Sequence, residues 1–276
     1  MPRKTTRVRL KPFLKWAGGK AGLIEQYEPH LPKKISGRYF EPFLGGGALF
    51  FHLRPEQAVL SDVNEELVNC YLMVRDAPEA LIAAVVAHRD RHDEDHYYEV
   101  RANVPSTKLD RAARFIYLNR TCYNGLWRVN SKGGFNVPLG RYKRPLVSVE
   151  AMISSASQAL VGKTIEVRPF EQVLDHAKRG DVVYFDPPYQ PLSRTSSFTS
   201  YSKTSFSEDD QRRLAHVFEA LTKKRVKALL SNSDHPLIRR LYASKRYKVI
   251  EISARRSINS KAQHRGPINE LLIRNY

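Results

Sequence analysis

Apolar positions fall into alternating strand-like and helix-like segments in two parts of the chain, with a stretch of different character between them. In the first part, "RYFEPF" (38–43) reads as a strand, "GALFFHL" (47–53) as the start of a helix, "QAVLSD" (57–62) as a second strand and "NEELVNCYLMVR" (64–75) as an amphipathic helix. The later part resumes with strands at "TIEVRP" (164–169) and "DVVYFD" (181–186) and a helix near "SEDDQRRLAHVFEALTKK" (207–224). Further strands follow at "VKALLSN" (226–232), "YKVIEIS" (247–253) and "NELLIRNY" (269–276). The run Val182–Phe185 is apolar on both faces, which suits a central strand of a parallel sheet. The alternation predicts an α/β fold with a Rossmann-like, doubly wound, mostly parallel sheet.

Between residues 70 and 160 the pattern changes to helices, followed by an irregular stretch rich in Gly, Asn, Arg and aromatics, "NRTCYNGLWRVNSKGGFNVPLGRYKRP" (119–145). Long aromatic-bearing loops within a domain are more often functional than accidental. The expected organisation is therefore one domain from residues 1–69 and 161–276, interrupted by an insertion at 70–160. A Ser/Thr-rich run, "SRTSSFTSYSKTSFS" (193–207), is expected to be a loop that orders on ligand binding or a solvated linker.

Charge narrows the class of partner. The 276 residues hold 46 Lys and Arg against 28 Asp and Glu, a net charge of +18. Basic clusters at "PRKTTRVRLK" (2–11), "GRYKR" (140–144) and "SARRS" (253–257) point to a polyanion such as nucleic acid. Cys70 and Cys122 stand far apart without metal-ligand spacing, so neither a disulfide framework nor a metal site is expected, and a reducing cytoplasm is the expected location. No signal peptide or membrane-spanning run is evident in the sequence.

Candidate chemistry gathers at strand ends. In "DVVYFDPPYQ" (181–190) the first proline removes a backbone donor and pushes Asp186 toward extended geometry, so the strand ends where the acid begins. Ligands of open α/β sheets bind outside the carboxyl ends of the strands. The amine of a nucleobase is a poor nucleophile because its lone pair is delocalised. A carboxylate and a backbone carbonyl that accept its two hydrogens would hold the nitrogen and raise its electron density. Asp186 and the carbonyl of Pro187 supply that pair, and Tyr189 can stack on the base.

"FEPFLGGGALFF" places glycines between a strand and a helix, where the backbone can approach a ligand closely. As a dinucleotide fingerprint it is incomplete, since Gly45 and Gly47 match but the third position is Phe50. Asp62, ending the next strand, could bond ribose hydroxyls or cap the helix that follows. Together they favour an adenosine-bearing cofactor. "LKWAGGK" fails as a phosphate loop, with Leu14 and Ala21 where Gly and Ser or Thr are required. Trp16 and Lys20 there are expected to lie beside a small ligand.

With these residues in view, the chain resembles the DNA adenine methylase family, the amino-methyltransferases that use S-adenosylmethionine and commonly recognise GATC. The resemblance runs over nearly the whole length through "FLKWAGGK", "EPFLGGGALF", "SDVN", the 117–145 block, "DPPY", "LLSNSD" and "RRSINS", in the family's order. It implies that Trp16, Ala17, Gly18, Lys20, Phe43, Gly45, Gly47, Asp62 and Asp186 line the S-adenosylmethionine site. Asp186, Pro187, Pro188 and Tyr189 would form the methyl-transfer pocket. The 70–160 insertion would be the target-recognition part, acting on double-stranded DNA through Arg101, Asn119, Arg120, Tyr123, Asn124, Leu126, Arg128, Asn136, Pro138, Arg141 and Tyr142, with Lys15 beside it. Of these, Tyr123 would insert into the base stack and Lys15 would touch a guanine. No metal is implied, and a monomer is expected in solution, with more than one copy on DNA left open.

Trp127 occupies a variable slot of the family pattern, and "SKAQHRG" (260–266) departs from its usual small-residue stretch. Ser231 and Asn232 are candidates for supporting the pocket. Methylation at carbon five of cytosine would need a cysteine after proline, but Cys70 follows Asn69 and Cys122 follows Thr121. Methylation of the cytosine amine and a non-catalytic, sequence-specific DNA-binding protein are the remaining alternatives.

Overall fold

The computed structural model describes residues 10–16, 18–130, 133–143, 145–191, 206–255 and 267–276. Most of "PRKTTRVRLK", most of the Ser/Thr-rich run 193–207, Ala17, Arg144 and the "RRSINS" and "SKAQHRG" segments beyond Arg255 lie outside them. Among the described residues seven strands form one sheet: β1 (Tyr39–Glu41), β2 (Ala58–Asp62), β3 (Thr164–Val167), β4 (Val182–Phe185), β5 (Lys227–Ser233), β6 (Lys248–Arg255) and β7 (Pro267–Arg274). Their order is β3-β2-β1-β4-β5-β7-β6. Neighbours from β3 to β5 pair in parallel, while β7 runs antiparallel between β5 and β6. This is the mostly parallel, doubly wound sheet expected, with the strands at the expected segments.

The helices are α1 (Ile24–Tyr27), α2 (Ala48–Leu53), α3 (Glu65–Asp76), α4 (Pro78–Asp90), α5 (Glu94–Ala102), α6 (Lys108–Thr121), α7 (Val149–Leu160), α8 (Val173–His176), α9 (Glu208–Lys223) and α10 (Pro236–Leu241). Successive strand side chains point to opposite faces. In β4, Tyr184 joins the core with α3, α6 and α7, while Val183 and Phe185 join the core with α9 and α10. Burial on both sides explains why these runs are apolar throughout rather than alternating. The apolar stripe of α9, Leu214, Val217, Phe218 and Leu221, follows helical spacing. A reciprocal cap starts that helix, with Ser207 Oγ accepting from Asp210 N while the Asp210 carboxylate accepts from Ser207 N.

The expected boundary near residue 70 falls inside α3, which caps its own start with Asn64. Asn64 Oδ1 accepts from the backbone N–H groups of Glu66 and Leu67. Asp62 is therefore not the cap: it lies two residues earlier, at the end of β2, out of line with those donors. The helices of the 70–160 segment share one core with a face of the sheet, through residues such as Leu81, Tyr97 and Phe115. Among the described residues no helix is long and apolar enough to cross a membrane.

Candidate active site at the carboxyl edge of the sheet

Strand order reverses between β1 and β4, so the connections leaving these two strands diverge and open a crevice at their carboxyl ends. Asp186 stands there, directly after β4, with 23% of its side chain exposed. Ser231 Oγ donates to Asp186 Oδ1 at 2.8 Å, and Lys20 Nζ lies 3.0 Å from the same oxygen. Lys20 is itself buried, donates to the Gly18 carbonyl, and sits 4.6 Å from the ring centre of Tyr189. Tyr189 in turn donates its hydroxyl to Glu270 Oε2 on β7 at 2.6 Å. Burial pushes the Glu270 carboxyl above its ordinary range, opposed by the Lys20 cation and the Tyr189 hydrogen bond.

The backbone of the turn is held from the far side. Gln211, fully buried on α9, donates through Nε2 to the Pro188 carbonyl at 3.1 Å, and its Oε1 accepts from Asn232 Nδ2 at 2.9 Å. Asn232 Oδ1 accepts from Gln190 N at 3.4 Å. Both groups suggested by "LLSN" thus touch the turn after β4, Ser231 at its carboxylate and Asn232 at its backbone. Pro187 is buried and Pro188 exposed.

The glycine turn lies beside this pocket. Gly45 and Gly47 adopt φ of +45° and +64°, conformations that side-chain-bearing residues disfavour. A Cβ on Gly45 would come within 2.8 Å of the Trp16 ring, and Tyr71 donates its hydroxyl to the Gly45 carbonyl at 3.1 Å. Asp62 Oδ2 accepts from Gly45 N at 3.2 Å and Oδ1 from Asn64 N at 3.0 Å, so the acid ties the turn to the end of β2. Burial raises the Asp62 carboxyl, and these backbone donors pull it back down. Phe43, just after β1, stacks on Phe170 with centroids 5.3 Å apart and meets Phe206 edge-on at 5.7 Å. The structure therefore gathers Trp16, Gly18, Lys20, Phe43, Gly45, Gly47, Asp62 and Asp186 at one edge of the sheet.

Sequence reasoning passed over four residues at this edge. Glu41 ends β1, is 2% exposed, and accepts the Tyr39 hydroxyl at 2.7 Å. Burial pushes its carboxyl up to about 8, and nearby Asp186 adds to the rise. The signal was present, since "EP" after a strand repeats the "DP" pattern of Asp186. Phe170, Gln211 and Glu270 carry no comparable local signal, because their partners lie on distant segments.

In the central block, Cys122 pairs with Leu139 and Val129 with Phe135 in antiparallel bridges, forming an irregular hairpin. Trp127 anchors it, 4% exposed, stacked on Phe115 of α6 with centroids 3.8 Å apart and packed on Phe135. Tyr123, Asn124 and Arg141 are exposed, and with Leu139 and Tyr142 they line a cleft of about 400 Å3. Asn124 holds a left-handed φ of +54°. Lys15 Nζ sits 3.6 Å from the Tyr142 ring centre, and burial together with the Arg120 cation holds its ammonium below the usual range. Arg128 is exposed and donates Nε to Asn136 Oδ1 at 2.9 Å. Pro138 is exposed while its carbonyl accepts from Tyr123 N, and Leu126 packs half-buried against the core.

Three of the residues expected at the DNA surface are buried or half-buried in the protein. Asn119 is fully buried: its Oδ1 accepts from Lys15 N at 2.8 Å, and its Nδ2 donates to Lys15 O at 2.7 Å and to Gly125 O at 3.3 Å. It pins the N-terminal segment and the turn after Tyr123 to the end of α6. Arg101 Nη1 donates to Val137 O at 3.4 Å, and Arg120 is half-buried, its carbonyl 3.5 Å from Lys15 Nζ.

Among the described residues, no group of three or more His, Cys, Asp or Glu is arranged to hold a metal ion. A family model described as D12 class N6 adenine-specific DNA methyltransferase matches residues 16–258. A type II methyltransferase of Lactococcus lactis subsp. cremoris is 43% identical over 98% of this chain and 97% of its own. A type II methyltransferase of Methanocaldococcus jannaschii is 43% identical over 98% of this chain and 100% of its own. The DNA adenine methylase of Serratia marcescens is 38% identical, covering 94% of this chain and 96% of its own. A carboxylate beside an acceptor-lined turn at the crevice is what transfer to an aromatic amine requires, and with likeness of this extent the chain belongs to the D12 class of N6 adenine-specific DNA methyltransferases.

Proposed function

We propose that the protein methylates the N6 amine of adenine in GATC sites of double-stranded DNA, drawing the methyl group from S-adenosylmethionine and acting on an adenine turned out of the helix. The observation that carries this reading is the partly exposed Asp186 carboxylate, fixed by Ser231 and Lys20 beside the ring of Tyr189. Asp186 accepts one amine hydrogen and the Pro187 carbonyl the other, which orients the nitrogen lone pair away from the ring. Tyr189 stacks on the base. The proton released on transfer leaves from the amine toward Asp186 Oδ2, the oxygen not engaged by Ser231 or Lys20.

The residues fit an adenosine-bearing sulfonium. Each oxygen of Asp62 accepts one backbone N–H and keeps a lone pair for a ribose hydroxyl. The Phe43, Phe170 and Phe206 rings supply an apolar surface beside it. Bound there, S-adenosylmethionine supplies an electrophilic methyl group and needs no metal. Recognition falls to the 70–160 segment together with Lys15 of the N-terminal segment: Tyr123 and Asn124 fill the gap left by the adenine, Arg128 and Lys15 meet guanines, and Leu126 and Pro138 pack on thymine methyls.

The test is incubation with methyl-labelled S-adenosylmethionine and matched duplexes, one with GATC and one with those bases scrambled. Label on N6 of adenine in the GATC duplex alone is the expected result. Equal label in both duplexes would discard the GATC assignment while keeping the chemistry.

A further inference from the structure

We propose that the amino-terminal edge of the sheet, opposite the candidate active site, is a second, sequence-independent binding surface for duplex DNA. The parallel strands all start at this edge, and antiparallel β7 ends there at Arg274. The connections 33–38, 177–181, 224–227 and 244–248, which lead into β1, β4, β5 and β6, carry eleven Lys or Arg and a single acid, Asp181. That acid is 1% exposed, and it pairs with Arg38 at 3.5 Å, leaving the other ten cations without a carboxylate on these connections.

Asp181 instead organises the cations. Its Oδ1 accepts from Arg38 N at 2.8 Å, its Oδ2 from Lys178 N at 3.0 Å, and its carbonyl from Lys227 N at 3.2 Å. A further bond, Gly37 N to Gly180 O at 3.0 Å, joins the first two connections. A Cβ on Gly37 would collide with Asp181 Oδ1, so this junction is built for close approach. Asp181 thus knots three connections into a single platform, two through its buried carboxylate and the third through its backbone carbonyl. Lys178, Arg179, Arg225 and Lys227 project from it, all exposed, with no ion pair among the described residues. Arg225 holds a left-handed φ of +58°, where glycine would sit more easily, yet the position carries a charge.

Dimensions favour a DNA backbone. Strand starts from β1 to β6 span four inter-strand spacings, about 19 Å, comparable with roughly six phosphates at 3.4 Å rise along one DNA strand. The surface consists of flexible cations on short loops, without a helix or hairpin to enter a groove, so it meets phosphates and reads no sequence. The six steps of β5 separate the two edges by about 20 Å and they face opposite ways, so one straight duplex cannot lie on both. The occupant is a second DNA segment, held while the first is in the active site. This inference needs DNA as substrate and is independent of which sequence is methylated.

The experiment loads the full chain onto an immobilised short duplex and then offers a fluorescent second duplex. Wild type is expected to retain both. The variant Lys178→Glu/Arg179→Glu/Arg225→Glu/Lys227→Glu should keep the first duplex and its methylation rate but lose the second. The milder Lys178→Gln/Arg179→Gln variant guards against misfolding and should lower the salt slope for second-duplex capture by about 2, at roughly 0.9 per phosphate contact. Capture of one duplex only by wild type would overturn the proposal. So would undiminished capture by the variants, or displacement of the second duplex by an acidic peptide more readily than by unlabelled DNA.

Discussion

Lys20 Nζ lies 3.0 Å from Asp186 Oδ1 and 4.6 Å from the centre of the Tyr189 ring, so one buried cation faces both ends of the turn after β4. Ser231 alone would leave the Asp186 carboxylate free to rotate about its hydrogen bond. Lys20→Gln should therefore lower kcat by on the order of 100-fold, as small misplacements of a reacting group do. Asp186→Ala should abolish transfer. Both should retain most duplex affinity in a mobility-shift assay, because binding resides elsewhere; comparable loss of binding would remove the assigned role.

Gln211 acts on the same turn from α9, through the Pro188 carbonyl. Replacing it by Ala frees the Pro188 carbonyl and leaves the buried Asn232 Nδ2 unpaired, the latter at a cost of about 1–3 kcal/mol. Urea unfolding should show a lower midpoint. If the clamp positions the turn, kcat falls while KM for the duplex stays near the wild-type value; a change in KM alone would make Gln211 a packing residue only.

Glu41 predicts a pH dependence with a definite sign. Its folded-state value of about 8 stands above the ordinary carboxyl value of 4.5, so the folded protein keeps a proton that the unfolded chain releases. The associated stability is fully present below pH 4.5 and is lost as pH rises toward about 8. Glu41→Gln, which cannot ionise, should flatten that decline. Thermal melts between pH 5 and 9, with wild type and variant run side by side, measure it; parallel curves would reject the protonated assignment.

Trp127→Ala should loosen the hairpin without reaching the cofactor edge. Truncating a buried aromatic costs about 3–5 kcal/mol, and here the stack on Phe115 is lost as well. Duplex binding should weaken while S-adenosylmethionine binding, followed by calorimetry, is retained.

The strands were legible because both faces of the sheet are covered, which leaves β4 and β5 as unbroken apolar runs bounded by turn residues. Asp186 was legible for a different reason: proline after an acid marks a strand end. The same mark at Glu41 went unread because that acid was taken as part of its strand. Gln211 and Glu270 were not legible, since a buried amide on a helix and an acid on an edge-proximal strand acquire meaning only from partners 23 and 81 residues away. Asp62 and Asn64 were equally good caps by residue type, and only the position of their oxygens relative to the first helical N–H groups decides between them. Trp127 looked variable in the family pattern, whereas its contact with Phe115 joins two segments that no local periodicity connects.

The two prolines after Asp186 have a chemical corollary. Neither Pro187 nor Pro188 carries an N–H, so the corner they form presents lone pairs and no hydrogens. A base that brings an amine to this corner finds only acceptors. One that brings a keto oxygen, as thymine and guanine do at the corresponding ring edge, sets lone pair against lone pair with nothing to reconcile them. Under the proposed function, the backbone itself, before any side chain is consulted, rejects the wrong class of base.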